Sequence, residues 1–109
     1  MIEGEIWLVN FPLEEDNTQF LSRPAVILNA NLDDVLAIKV TKTEPRSNDD
    51  FDVSIDNWQY ANLNYKSTAR VSKTQNINKH QFKHKIGNLH FSDLIKLQNK
   101  YIEFINGQV

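Results

Sequence analysis

The chain has 109 residues, 40% hydrophobic and 24% charged, the size and makeup of one compact domain. It contains no cysteine, which excludes disulfides, thiolate metal sites and a cysteine nucleophile. No apolar run reaches the ~20 residues that cross a bilayer, and the start MIEGEIW lacks a basic n-region and an apolar h-region. A soluble cytoplasmic protein with no membrane association is expected.

Charge is divided along the chain. Residues 1–65 carry four Lys and Arg against twelve Asp and Glu, whereas residues 66–109 carry eight against two. Lys66 to Lys85 holds six basic residues, His80 and His84, and no acid. Two readings are open: a surface that faces a polyanion, or halves that neutralise each other across the fold.

Glu5 to Phe11 (EIWLVNF) reads as a first strand, and its near-continuous apolar character implies burial on both faces. Pro12 ends it, and LEEDNTQFLS follows as a long acidic connection. Pro24 to Ala30 and Val35 to Thr41 read as two further buried strands, joined as a hairpin through Asn-Leu-Asp-Asp. Lys42 to Asp50 is loop by composition, and alternation at Phe51, Val53 and Ile55 marks a half-exposed fourth strand.

Trp58 to Asn64 reads as a turn or a short helical piece. Ser67 to Ser72 forms a fifth strand that Gln75 to Asn78 continues after a bend, and Ile86 to Leu89 is a short closing strand. The last segment is a helix, with Ser92 as its N-cap, Asp93 at the positive end of its dipole and Gly107 as its terminator. Leu94, Leu97, Tyr101 and Ile105, with Ile95 and Ile102, give it an apolar stripe of helical period. Short strands followed by one helix predict a mainly β fold, a small bent barrel or sheet with the helix packed on it, in one domain over 1–109.

There is no glycine-rich phosphate loop and no Gly-x-Ser-x-Gly. His80 and His84 have the spacing that would put two zinc ligands on one helix face, but no motif carboxylate accompanies them, so they read as solvated. The Glu14-Glu15-Asp16 run reads as a solvated acidic loop rather than a cation site.

Pro24 holds Arg23 extended at the entry to a strand, which pre-aims a guanidinium suited to clamping a phosphate. If strands two and three are antiparallel, Thr41 shares that rim, and a hydroxyl beside a fixed cation can stabilise charge on a phosphoryl oxygen. Each residue also has a plainer reading, Arg23 as a surface arginine and Thr41 as a strand former. Arg70 lies inside the fifth strand and must face solvent, an acid or a ligand. Lys66, Lys73 and Lys79 extend the basic stretch and could track a nucleic-acid backbone, with Phe20, Trp58 or Tyr60 available to stack bases.

Taken in order, GEIWLVNF, SRPAVIL, VLAIKVTKT, YKSTARVSKTQNINK and IGNLHFSDLIKLQNKYIEFI resemble the successive motifs of the MazF/PemK (Kid) family of toxin–antitoxin toxins. The resemblance implies an SH3-like small barrel of the CcdB/MazF kind with a C-terminal helix, usually a homodimer. It implies a sequence-specific endoribonuclease that cuts single-stranded RNA without metal or cofactor, and a separate antitoxin protein that blocks the RNA groove. Carried over by position, Arg23 and Thr41 match the pair at the scissile phosphate, and Arg70 matches an arginine that some members use in catalysis. Two positions depart: Ser72 stands where some members carry an acid, and Asn17, read as an RNA contact, where they carry a histidine. The alternative is a catalytically silent barrel that binds RNA or a protein. A gyrase poison of the CcdB type fits less well, because the chain ends INGQV without a tryptophan.

Overall fold

The computed structural model describes residues 1–107; Gln108 and Val109, the end of the INGQV sequence, lie outside the described residues. Six strands form one antiparallel sheet: β1 (Glu5–Pro12), β2 (Phe20–Ala30), β3 (Asp34–Thr41), β4 (Asp52–Ile55), β5 (Ser67–Asn78) and β6 (Phe82–Asn88). A 3-10 turn, Lys79–Gln81, leads into β6, and the helix α1 spans Phe91–Asn106. The strand order is β4-β5-β3-β2-β1-β6, so β4 and β6 are free edges and the sheet is not closed into the expected barrel.

Each central strand feeds two cores, which is why β1, β2 and β3 are nearly continuous in apolar residues. One face carries Ile6, Val26, Ile38, Val40, Ala69 and Val71, covered by Leu97 of α1 and Leu89. The other carries Val9, Phe11, Ala25, Ile27, Ala37 and Phe82. Irregular register bends the sheet. β5 inserts extra residues between Arg70 and Gln75, where Thr74 Oγ1 donates 2.6 Å to the Val71 carbonyl.

Several boundaries differ from the sequence reading. β2 begins at Phe20 rather than Pro24, because the β1–β2 ladder runs as far as Pro12 opposite Phe20. For Trp58 to Asn64 the turn, not the helical piece, is the one of the two readings that holds. β6 starts at Phe82, four residues before the predicted Ile86, because an edge strand of Lys and His shows no apolar alternation. The N-cap of α1 is His90, not Ser92: the His90 Nδ1 accepts from Ser92 N at 3.1 Å. On α1, Leu97 is buried and Phe104 packs on Phe51 at 5.2 Å between rings, while Ile95, Ile102 and Ile105 are exposed.

The division of charge is partly neutralised inside the fold. Lys73 binds Glu14 at 2.6 Å, Lys85 binds Glu5 at 3.0 Å and Lys96 binds Asp56 at 2.9 Å, each joining a basic residue of the second half to an acid of the first.

Candidate functional site

A cleft of about 690 Å³ opens where β2 enters and β3 leaves the sheet. Its floor follows the register. Leu8 pairs with Pro24 on one side and His84 on the other, and the β2–β3 ladder ends at Ala25–Lys39, leaving Arg23 of β2 and Thr41 of β3 just beyond its last pair. Arg23 is exposed within β2, and its strand position is fixed by the pairing with Val9. Arg23 and Thr41 therefore line one rim, the arrangement expected from an antiparallel pair.

The wall facing them is the segment Asn62–Tyr65. It is held from two sides. Asp93, buried in the first turn of α1, accepts from Asp56 N at 3.2 Å and Asn57 N at 2.9 Å. Asn62, in the left-handed region at φ 65°, donates through Nδ2 to the Ile86 carbonyl at 2.8 Å. The segment also presses on β6 at Gly87, where a Cβ would stand 2.3 Å from the Ala61 carbonyl oxygen. Only glycine lets the wall approach this closely.

The charged side chains along the cleft are Arg23, Lys42 and Lys85, with His84 beside them, and no Asp or Glu lines it. Lys85 is engaged by Glu5. Burial alone would raise the Glu5 pKa, but hydrogen bonds from Trp7 Nε1, Ile2 N and Lys85 outweigh it and hold the carboxyl at about 2. The Thr41 hydroxyl accepts from Thr43 N at 3.2 Å and donates to Thr43 Oγ1 at 3.3 Å, a long bond that a phosphate oxygen would improve upon. Lys42 lies over the ring of Tyr65 at 5.2 Å, so the exposed aromatic at the cleft is Tyr65. Phe20, Trp58 and Tyr60 are absent from its lining.

Arg70 is not in the cleft lining. It faces Lys39 on one side and Asp52 on the other. The Asp52 carboxylate is already taken by Arg46, through Nε at 2.8 Å, Nη2 at 2.9 Å and its backbone N at 2.9 Å. The Arg46 hydrogen bonds hold the Asp52 carboxyl below its ordinary range. Arg70 Nε is consequently buried without a partner. Its neighbour Lys39, half-buried above the Phe11 ring at 5.2 Å, has its pKa lowered first by burial, against the pull of Glu14, and further by Lys73, Arg70 and Arg23. Lys39 and Arg70 thus form a cationic strip next to the cleft, and Lys39 is a member that the sequence reading missed. A lysine in an apolar strand resembles a snorkelling surface residue until its cross-strand neighbours are known.

The four predicted RNA contacts are dispersed. Lys66 borders a neighbouring depression of about 300 Å³ with Lys42 and Thr43. Lys73 is tied to Glu14, and Lys79 lies on the 3-10 turn with its backbone bound to Asp33. Asn17 is exposed in the β1–β2 loop, which Asp16 organises by accepting from Thr18 and Gln19. At Ser72, the hydroxyl donates 2.7 Å to Asp49, so a carboxylate from the β3–β4 loop stands beside that strand position. His80 belongs to the 3-10 turn and His84 to β6, which removes the shared helix face that zinc spacing presupposes. Among the described residues no cluster of three or more His, Asp or Glu side chains is placed to hold a metal.

The family model for PemK-like, MazF-like toxins of type II toxin–antitoxin systems matches residues 2–105. The chain belongs to that family. Solved structures agree in fold. Mycobacterium tuberculosis toxin MazF-mt6 matches at 21% identity over 94% of this chain and 96% of the other, with a TM-score of 0.73. A mycobacterial endoribonuclease in complex with its cognate antitoxin matches at 14% identity over 97% and 95%, with a TM-score of 0.76. A further mycobacterial endoribonuclease matches at 14% identity over 97% and 91%, with a TM-score of 0.73. No protein of curated function matches the sequence. No helix among the described residues is long and apolar enough to cross a membrane.

Proposed function

We propose that this toxin is a metal-independent endoribonuclease that cleaves single-stranded RNA at preferred sequences, using the substrate's own 2′-hydroxyl as nucleophile. The observation that carries the reading is that Arg23 and Thr41 line one cleft, whose lining contains no acid. Because RNA brings its nucleophile, the protein must align it in line with the leaving oxygen, move protons and stabilise the charged phosphorane. Arg23 supplies the fixed positive charge and Thr41 a hydrogen bond to the same phosphoryl group. The products are a 2′,3′-cyclic phosphate and a 5′-hydroxyl.

Binding of the chain beyond the cut is assigned to the Lys39 and Arg70 strip, with Lys66, Lys73, Lys79 and Asn17 as outer contacts. Arg70, paired with Lys39 in the row next to Arg23, acts there on phosphate affinity. Asn62, Asn64 and Tyr65 offer the amides and the ring that read and stack an unpaired base. The partners are a cognate antitoxin, which covers this cationic surface in the resting cell, and a second copy of the chain. The exposed Ile95, Ile102 and Ile105 on α1 support self-association. The cytoplasm is where such a protein meets mRNA.

Replacing Arg23 by Ala tests the enzyme reading against a silent RNA-binding module. In an enzyme, single-turnover cleavage falls about 10²–10³-fold while RNA affinity changes far less. A protein that binds RNA and cuts none of it, with or without Arg23, is the silent module.

A further inference from the structure

The 5′-oxygen that leaves in this cleavage is a strongly basic alkoxide unless a proton reaches it as the bond breaks. Arg23 and Thr41 stabilise charge but are poor proton donors, since a guanidinium does not deprotonate in proteins and a threonine hydroxyl is scarcely acidic. A lysine stands next to Arg23. Lys39 leaves β3 directly opposite Ala25 of β2 and Arg70 of β5. Its ammonium lies 5.2 Å from the centre of the Phe11 ring, which belongs to β1 on the far side of β2.

The Lys39 side chain therefore crosses β2. The β1–β2 ladder is regular from Ile6 to Pro12, so alternation puts Ala25, Arg23 and Leu21 on the crossed face, opposite Trp7, Val9 and Phe11. A path from the Ala25 row to the Phe11 row crosses β2 at the middle row, that of Arg23. Ala25 is buried and small, which leaves the lysine stem room to pass. The charged groups around Lys39 are Glu14 of the β1–β2 loop, Arg23 of β2, Arg70 and Lys73 of β5, and Asp52 of β4 beyond Arg70. Glu14 is engaged by Lys73 at 2.6 Å and Asp52 by Arg46 at 2.8 Å, so both acids already have cationic partners. Burial, then repulsion by Lys73, Arg70 and Arg23, holds the Lys39 pKa below that of an ordinary lysine against the pull of Glu14, so its proton is given up more readily.

We propose that Lys39 is the general acid of the cleavage, donating its ammonium proton to the 5′-oxygen that leaves the phosphate held by Arg23. This rests on the ribonuclease reading above. The 2′-oxygen forms its bond to phosphorus and passes its proton to a solvent water, which becomes hydronium. The bond from phosphorus to the 5′-oxygen breaks, its electron pair stays on oxygen, and that oxygen takes the proton of Lys39. The neutral amine then recovers a proton from the hydronium. The sum is RNA converted to a 2′,3′-cyclic phosphate and a 5′-hydroxyl, with no net proton or water consumed.

The test is single-turnover cleavage at saturating protein, first of a mixed-sequence RNA to map a cut site, then of a short RNA carrying that site. Wild type, Lys39→Met, Lys39→Arg and Arg23→Ala are compared, with RNA affinity measured beside each. Methionine keeps a stem to pack on Phe11 without the proton, and arginine keeps the charge but donates a proton poorly. Both Lys39 variants are expected to cleave about 10²–10⁴-fold more slowly than wild type. The same RNA with sulfur in place of the 5′-oxygen at the cut loses a thiolate, which is far less basic and departs without a proton. On that RNA, Lys39→Met and Lys39→Arg should cleave nearly as fast as wild type, whereas Arg23→Ala stays slow because the phosphorane still needs its charge. Full activity of Lys39→Arg on the oxygen RNA overturns the proposal, because charge alone then suffices. A Lys39→Met defect in affinity alone, or one equally large on both RNAs, also overturns it. In each of these cases, loss of cleavage in Arg23→Ala leaves the ribonuclease reading standing. Failure of wild type to cleave the mixed-sequence RNA overturns both.

Discussion

Asp93 Oδ2 accepts the backbone N–H of Asn57 at 2.9 Å, and by this bond the first turn of α1 holds the segment that walls the cleft. The carboxylate is buried and also receives Asp56 N and Asn57 Nδ2, so three donors depend on it. Asp93→Asn turns an amide group toward these N–H donors. The expected cost is about 2–4 kcal/mol in urea unfolding. Asp56→Asn, whose carboxylate is exposed and meets only Lys96, changes stability by less than about 0.5 kcal/mol. Equal effects of the two substitutions would contradict the anchoring role.

The Glu5 carboxyl gives the fold an acid limit. Its pKa in the folded chain is about 2, depressed below that of an ordinary glutamate. Such a group adds stability that is fully present above the unfolded-state pKa of ~4.3 and is lost as pH falls toward the folded value. Thermal unfolding of wild type should weaken between about pH 4.3 and 2, and Glu5→Gln should flatten that dependence while lowering stability at pH 7. A Glu5→Gln curve that runs parallel to wild type down to pH 2 would count against the assignment.

At Gly87 the cleft wall packs directly against β6. Gly87→Ala places a methyl against the Ala61 carbonyl, which belongs to backbone and cannot rotate away. A loss of about 1–3 kcal/mol is expected, together with weaker cleavage as the Asn62–Tyr65 wall shifts. An alanine variant as stable as wild type would mean that the wall moves freely.

Arg70 and Arg23 should separate by what they change. Arg70→Ala removes a phosphate contact outside the cleft, so the slope of log affinity against log salt should fall by ~0.7 with single-turnover cleavage at saturation little altered. Arg23→Ala should do the reverse. A large loss of saturated cleavage in Arg70→Ala would place Arg70 at the reacting phosphate instead.

The parts of the fold that were legible from sequence are those where burial dictates residue type. β1, β2 and β3 supply side chains to two cores and are apolar almost throughout, so their existence, and the hairpin of β2 and β3, could be read directly. The antiparallel order of β2 and β3 was enough to bring Arg23 and Thr41 to one rim. Edge and cap positions carry no such signature. Lys83–Lys85 of β6 is polar because an edge strand is guarded by charge, and spacing alone sets His84 against His80. The cap at His90 uses an imidazole nitrogen where a hydroxyl was sought at Ser92. Lys39 acquires meaning only from cross-strand neighbours 31 residues away at Arg70, a relation that no local pattern encodes.

Purified protein incubated with a long mixed-sequence RNA in EDTA, with the product ends mapped beside an Arg23→Ala control, tests the account most directly. The account predicts discrete cuts that leave 5′-hydroxyl and 2′,3′-cyclic phosphate ends, lost in the control. Intact RNA in the presence of folded protein and broad sequence coverage, or cuts that persist undiminished without Arg23, would contradict it.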